Sequence, residues 1–369
     1  MTIGSDRLGA LVSHSLDVIR RFQAPTGAYP ASPTFSAYRG YSWLRDGAFI
    51  AEGMSRHGDV AGAGAFHAWC AGIVADRAAQ VDALVARASR GETPGHAEML
   101  PTRFTLDGLD GTDDWWDFQL DGYGTWLWSL AEHAARHGTA VPGAWEKGVR
   151  VTARYLAAFW DSPCYDWWEE HLDRRHVATL GAVHAGLRAA VSLGVLSAAE
   201  TAAATEAAAG IEALVAAEGV AGGHLTKWLG TDAVDGSLLA CVVPFGLRPP
   251  GDPVGEATVA EVGRRLTVDG GVHRYLADTF YGGGRWVLLT GLLGWNHARA
   301  GRREEAMRCL TWMAAQATPS GDLPEQVSGV LLAPDRLAEW LDRWGPVATP
   351  LLWSHGMYLI LADELGVRT

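Results

Sequence analysis

Ala198–Ala217 reads AAETAAATEAAAGIEALVAA. A run built from the strongest helix former, with polar side chains on one side only, specifies an α-helix that buries its other side. Eleven further stretches carry apolar residues at three- and four-residue spacing, from Ser5–Phe22, Arg45–His57 and Val60–Ser89 to Leu351–Leu365. The breaks between them are rich in Gly, Pro, Asp and Trp. Only LTVDGGVHRYLAD (266–278) reads as extended, its VDGG turn between short β-prone runs predicting a small hairpin. No Ser/Gly/Pro-rich linker marks a second domain, and no sequence repeats at a period of about 33–45 residues, which sets a solenoid aside. The pattern predicts an all-α fold: one closed barrel of paired helices over 1–369, with function in the loops at one end.

The bulk chemistry narrows the partners. The 369 residues are 48 % hydrophobic and 20 % charged, as expected of a soluble globular chain. A net charge of −12 without a Lys/Arg block argues against nucleic acid or an anionic membrane surface. The N-terminus lacks a long apolar segment, so no signal peptide is read and a cytoplasmic location is expected. The longest apolar runs, such as VLLTGLLGW (287–295), are too short to span a bilayer. Four cysteines lie far apart, without metal-ligand spacing, so free thiols and no metal or cofactor are expected. Seventeen tryptophans exceed what a core needs, and their flat faces suit sugar rings, nucleobases or cationic ligands.

Four breaks carry chemistry. Arg45 and Asp46, after Trp43, offer a donor and an acceptor to vicinal hydroxyls beside a stacking face. Asp113, Asp114 and Asp117 form a DDxxD pattern, which on a helix would hold Mg²⁺ against a diphosphate. Glycines on its N-terminal side place it in a loop instead, and no second metal-binding arm follows. CYDWWEEH (164–171) sets Glu169 and Glu170 after two indoles, and LPEQ (323–326) places Glu325 in a late loop. Two carboxyls in differently polar settings are what glycoside hydrolysis requires. Apolar surroundings keep a carboxyl protonated, so Glu169 reads as the acid; Glu325, beside the Gln326 amide, reads as the base.

In this order, YSWLRD (41–46), YDWWEE (165–170), GVHRYLADTFYGGGRW (271–286) and LPEQ resemble glycoside hydrolase family 15, the glucoamylase family. The resemblance implies an (α/α)6 barrel and inverting, exo-acting release of glucose from a non-reducing end. It makes Glu169 the general acid, Glu325 the base, and Glu170 a ligand of the sugar beyond the cleavage point. Arg45, Asp46 and Arg274 would grip the terminal glucose between Tyr41 and Trp43, with Trp115 over the acid. Trp167, Arg285 and Arg39 depart from the family pattern and are expected near the sugar-binding end, with Trp167 the first suspect for linkage choice. A short chain without the N-terminal β-domain of some members most resembles the enzymes that split isomaltose. Short α-1,6-linked gluco-oligosaccharides are therefore the expected substrates. The alternatives are α-1,4 maltooligosaccharides, trehalose, or a non-catalytic carbohydrate-binding protein.

Overall fold

A computed structural model describes residues 5–115 and 117–368. Its helices are α1 (Ser5–Phe22), α2 (Leu44–Arg56), α3 (Val60–Asp76), α4 (Ala78–Ala88), α5 (Asp121–His137), α6 (Gly143–Phe159), α7 (Val177–Ser192), α8 (Ala198–Glu218), α9 (Leu239–Val242), α10 (Pro253–Leu266), α11 (Val287–Arg299), α12 (Arg303–Ala315), α13 (Leu337–Trp344) and α14 (Leu352–Glu364). Packing closes a circuit: α2 meets α5, α5 meets α7, and the chain of neighbours runs on through α9, α11 and α14 back to α2. Outside it lie α1, α3, α6, α8, α10 and α12, each packed against an inner partner. Inner and outer helices alternate along the sequence, the (α/α)6 arrangement.

Burial explains which helices go inside. Helices α2, α5, α7, α11 and α14 are covered over most of their circumference, Leu44 to Ser55 of α2 being buried without a break. Inner α7, α11 and α14 are apolar nearly all round, as interior helices are, whereas α8 buries one side only, through Ala204, Ala207, Ala208, Ile211 and Val215. Glycine sets the inner spacing. A Cβ on Gly124 would stand 2.2 Å from the Ala182 carbonyl oxygen, and one on Gly186 2.4 Å from the Gly124 Cα. Helices α5 and α7 thus meet backbone to backbone.

Two expectations need correction. Val60–Ser89 is two helices, broken at Arg77, whose side chain reaches back to the Ile73 carbonyl and across to Gly108 O and Asp110. Neither Gly nor Pro marks that break, so apolar spacing alone runs through it. The 266–278 hairpin forms as β5 (Thr267–Val268) and β6 (Gly271–His273), but it extends through β7 (Arg285–Trp286) to β8 (Gln326–Val327). Two more antiparallel pairs precede it, β1 (Tyr41–Trp43) with β2 (Arg103–Thr105), and β3 (Val220–Ala221) with β4 (His224–Leu225). Strands of two or three residues are too short to show a period-two pattern. No helix among the described residues is long and apolar enough to cross a membrane.

The segments leading into five of the six inner helices, all but α9, open at one end of the barrel. They deliver Trp115 and residues 41–46, 117–121, 164–176, 273–286 and 323–351 to one place.

Candidate active site

A cavity of about 230 Å³ opens there. That is below the ~300–1,000 Å³ usual for drug-sized ligands and fits a short substrate. Its floor is Arg45, buried at the start of α2. Nη1 donates to Gln119 Oε1 at 3.0 Å and Asp121 Oδ2 at 2.9 Å, and Nη2 to Glu169 Oε1 at 3.4 Å. Trp353 and Trp167 present ring faces to the guanidinium, 5.5 and 5.9 Å away. Asp46 also lines the cavity; burial pushes its carboxyl up to about 6, although Arg45 opposes the shift.

Glu169 sits in a tight turn. Its φ of +58° is one that L-residues with side chains rarely adopt, and such strain persists where surrounding contacts over-determine it. Here Trp43 Nε1 donates to Oε1 at 3.1 Å beside the Arg45 bond. Burial pushes the carboxyl up to about 8, against the pull of Arg45. The adjacent indoles contribute differently than expected. Trp167 packs inward against Trp353, Phe49 and Phe245, and Trp168 points its N–H at Asp235. Glu170 faces elsewhere, as expected: Tyr275 OH donates to Oε2 and Arg274 Nη2 to Oε1 at 3.3 Å.

Glu325, buried ahead of β8, accepts from Tyr38 OH at 3.3 Å through Oε1. Its Oε2 has no hydrogen-bond partner among the described residues. Burial pushes this carboxyl up to about 8 as well, opposed by Arg274 and the Tyr38 bond. The expectation that burial would set the two carboxyls apart is not met, because it raises both alike; they differ in their partners and in exposure, Glu169 being partly exposed and Glu325 buried. Gln326 does not line the cavity; its side-chain oxygen accepts from Gly284 N at 2.9 Å. The amide ties β8 to the β7 segment instead of facing a ligand.

The upper walls are aromatic. Trp115 lies 5.9 Å from Trp43 and stacks on Trp344 at 6.1 Å. Trp340, Arg343 and Trp344 of α13, with Phe280 and Trp286, complete the lining. None of these five, nor Tyr38, stands out as a site residue in the sequence; the tryptophan excess is the signal for Trp286, Trp340 and Trp344 alone. Arg274 reaches the cavity below Trp168 and Phe280, each ring 5.1 Å from its guanidinium, clamped by Asp278. Tyr41 is a correction. Its ring covers Arg103 at 3.7 Å and its hydroxyl donates to Asp113 at 2.8 Å, so Tyr38 takes the wall position three residues earlier.

Residues 5–318 match the family model for glycosyl hydrolases family 15. The chain belongs to that family. It is 62 % identical over 362 residues to the isomaltose glucohydrolase of Kribbella flavida, covering 98 % of this chain and 94 % of that one. A solved wild-type glycosidase superposes with a TM-score of 0.96 at 61 % identity, covering 99 % of this chain and 98 % of the other. A variant glycosidase with the same agreement was solved in complex with glucose. The Saccharomycopsis fibuligera glucoamylase, at 16 % identity, shares the fold with a TM-score of 0.71 over 98 % of this chain and 95 % of its own.

Of the three departures from the family 15 pattern, only Trp167 lines the cavity. Arg285 turns away, donating to Val268 O and lying 5.6 Å from the Trp312 ring, and Arg39 is exposed. The DDxxD aspartates lie in an irregular loop, where Asp113 pairs with Arg103 and Tyr41. That geometry puts no two of them on one helical face.

Proposed function

We propose that this family 15 glycoside hydrolase is an inverting, exo-acting α-glucosidase that releases β-glucose from short α-1,6-linked gluco-oligosaccharides such as isomaltose. The observation that carries the chemistry is the pair Glu169, partly buried, and Glu325, buried, which line one cavity and are held by separate partners. Glu169, protonated by its burial, gives its proton to the glycosidic oxygen as the bond to the anomeric carbon breaks. Glu325 Oε2, without a protein partner, takes a proton from the water that attacks the opposite face of that carbon. One inverted glucose and one shortened sugar leave, and the proton taken by Glu325 returns to Glu169 through solvent.

Arg45, Asp46 and Arg274 hold the hydroxyls of the terminal glucose; Trp43, Trp115 and Trp167 flank it, and Glu170 holds the leaving sugar. The α-1,6 preference rests on the name of the 62 % identical relative, and the preference for short substrates on the small cavity. An NMR time course on isomaltose, maltose, trehalose and dextran tests the reading. Isomaltose should be cleaved fastest with β-glucose appearing first; early α-glucose would sink inversion, and faster maltose or trehalose cleavage would sink the linkage.

A further inference from the structure

A cluster of buried charge lies behind the Glu169–Glu170 turn, outside the cavity lining. Lys227 Nζ stands 2.6 Å from Asp235 Oδ2 and 3.2 Å from Asp166 Oδ2, all three side chains buried. The same ammonium lies 3.6 Å from the centre of the Tyr275 ring. Each neighbour leads to the turn. Asp166 Oδ1 accepts the N–H groups of Trp168 and Glu170, both at 2.9 Å, and its carbonyl accepts that of Glu169 at 3.1 Å. These bonds hold the backbone that places Glu169 at positive φ. Asp235 accepts the Trp168 indole N–H at 3.0 Å and both the N–H and hydroxyl of Ser237. Tyr275 donates its hydroxyl to Glu170.

The residue type is informative. The chain has two lysines against twenty-eight arginines. An arginine would bring a wide planar fork with five donors, whereas the ammonium is a compact charge that fits between two carboxylates under a ring. Two buried aspartates without that cation would have to protonate or turn toward water.

We propose that Lys227 is a positioning residue: by neutralising Asp166 and Asp235 it locks the turn that aims Glu169 at the leaving oxygen, and it backs the phenol that holds Glu170. This rests on the acid role proposed for Glu169. Lys227→Met keeps the volume and removes the charge. A slackened proton donor matters when a sugar hydroxyl must leave and matters little for fluoride, which leaves without being protonated.

The experiment measures kcat/KM on isomaltose and on α-glucosyl fluoride for wild type, Lys227→Met and Glu169→Gln, with melting curves alongside. Glu169→Gln should fall about 10²–10⁴-fold on isomaltose, as loss of a general acid does, and far less on the fluoride. Lys227→Met should show the same split, about tenfold or more on isomaltose against less than about threefold on the fluoride. Equal losses on both substrates, or none on isomaltose, overturn the positioning role while leaving the acid assignment standing. If Glu169→Gln itself loses both activities equally, or wild type cleaves neither substrate, the acid assignment fails and the inference falls with it. Should Lys227→Met not fold, Asp235→Asn, which keeps the shape and removes one charge, is read by the same ratio.

Discussion

The indole N–H of Trp43 donates to Glu169 Oε1 at 3.1 Å, so the tryptophan of one motif orients the carboxyl of another 126 positions away. Trp43 is thereby more than a stacking wall. Trp43→Phe keeps the ring and removes the donor. A hydrogen bond between neutral groups contributes ~0.5–1.5 kcal/mol, and this one strengthens as Glu169 gives up its proton, so kcat on isomaltose should fall by up to about tenfold with the melting temperature little changed. Unaltered kcat would show that the bond does not aim the acid.

Glu325→Ala should leave glucose binding, measured by calorimetry, within about threefold of wild type while turnover falls by at least ~10²-fold. Retained turnover would remove Glu325 from the reaction.

The pH profile follows from the two displaced carboxyls. The working form needs Glu169 protonated and Glu325 ionised. Glu169 loses its proton as pH rises through about 8, so kcat/KM should fall on that basic limb. Glu325 is raised from the ordinary 4.5, so activity should already be falling on the acid side above that value. The midpoints belong to the interacting pair. A basic midpoint below about 6 would contradict the burial argument.

Stability carries the same signature with a definite sign. A carboxyl whose folded pKa lies above its unfolded value adds stability that is fully present below the unfolded value and is lost as pH rises through the folded one. For Glu169 and Glu325 that window runs from 4.5 to about 8. Glu325→Gln, neutral at every pH, should therefore melt higher than wild type at pH about 8 and nearly with it at pH about 4. An equal difference at both pH values would refute the linkage.

The packing of α5 against α7 gives a purely structural prediction. Gly124→Ala forces a methyl to within 2.2 Å of a carbonyl oxygen that cannot yield without moving a helix. Overpacking of this kind costs ~1–3 kcal/mol, and a lowered denaturation midpoint at unchanged slope would report it. Gly138→Ala, at the exposed end of α5 where nothing lies within 4 Å, tests φ strain alone and should cost less.

The sequence alone determined that the chain is built of helices, because apolar spacing is local and survives without knowledge of neighbours; the barrel came from setting a solenoid aside and from the family resemblance. It also singled out Glu169, Glu170, Glu325, Arg45 and Asp46, since charged groups set among apolar and aromatic residues stand out from solvated helix faces, whereas Arg274 came only from the family resemblance. Which aromatic meets the cavity was decided only by tertiary structure: Tyr38 and Tyr41 sit three residues apart with similar surroundings in sequence, yet one donates to Glu325 and the other covers Arg103. The direction of a loop side chain depends on what the rest of the chain brings against it. The same holds for Gln326, turned to Gly284 N, and for Glu325, whose desolvation comes from segments far away in sequence. Lys227 looks in sequence like an ordinary basic residue, and only the meeting of residues 166, 235 and 275 around its ammonium gives it a place in the site.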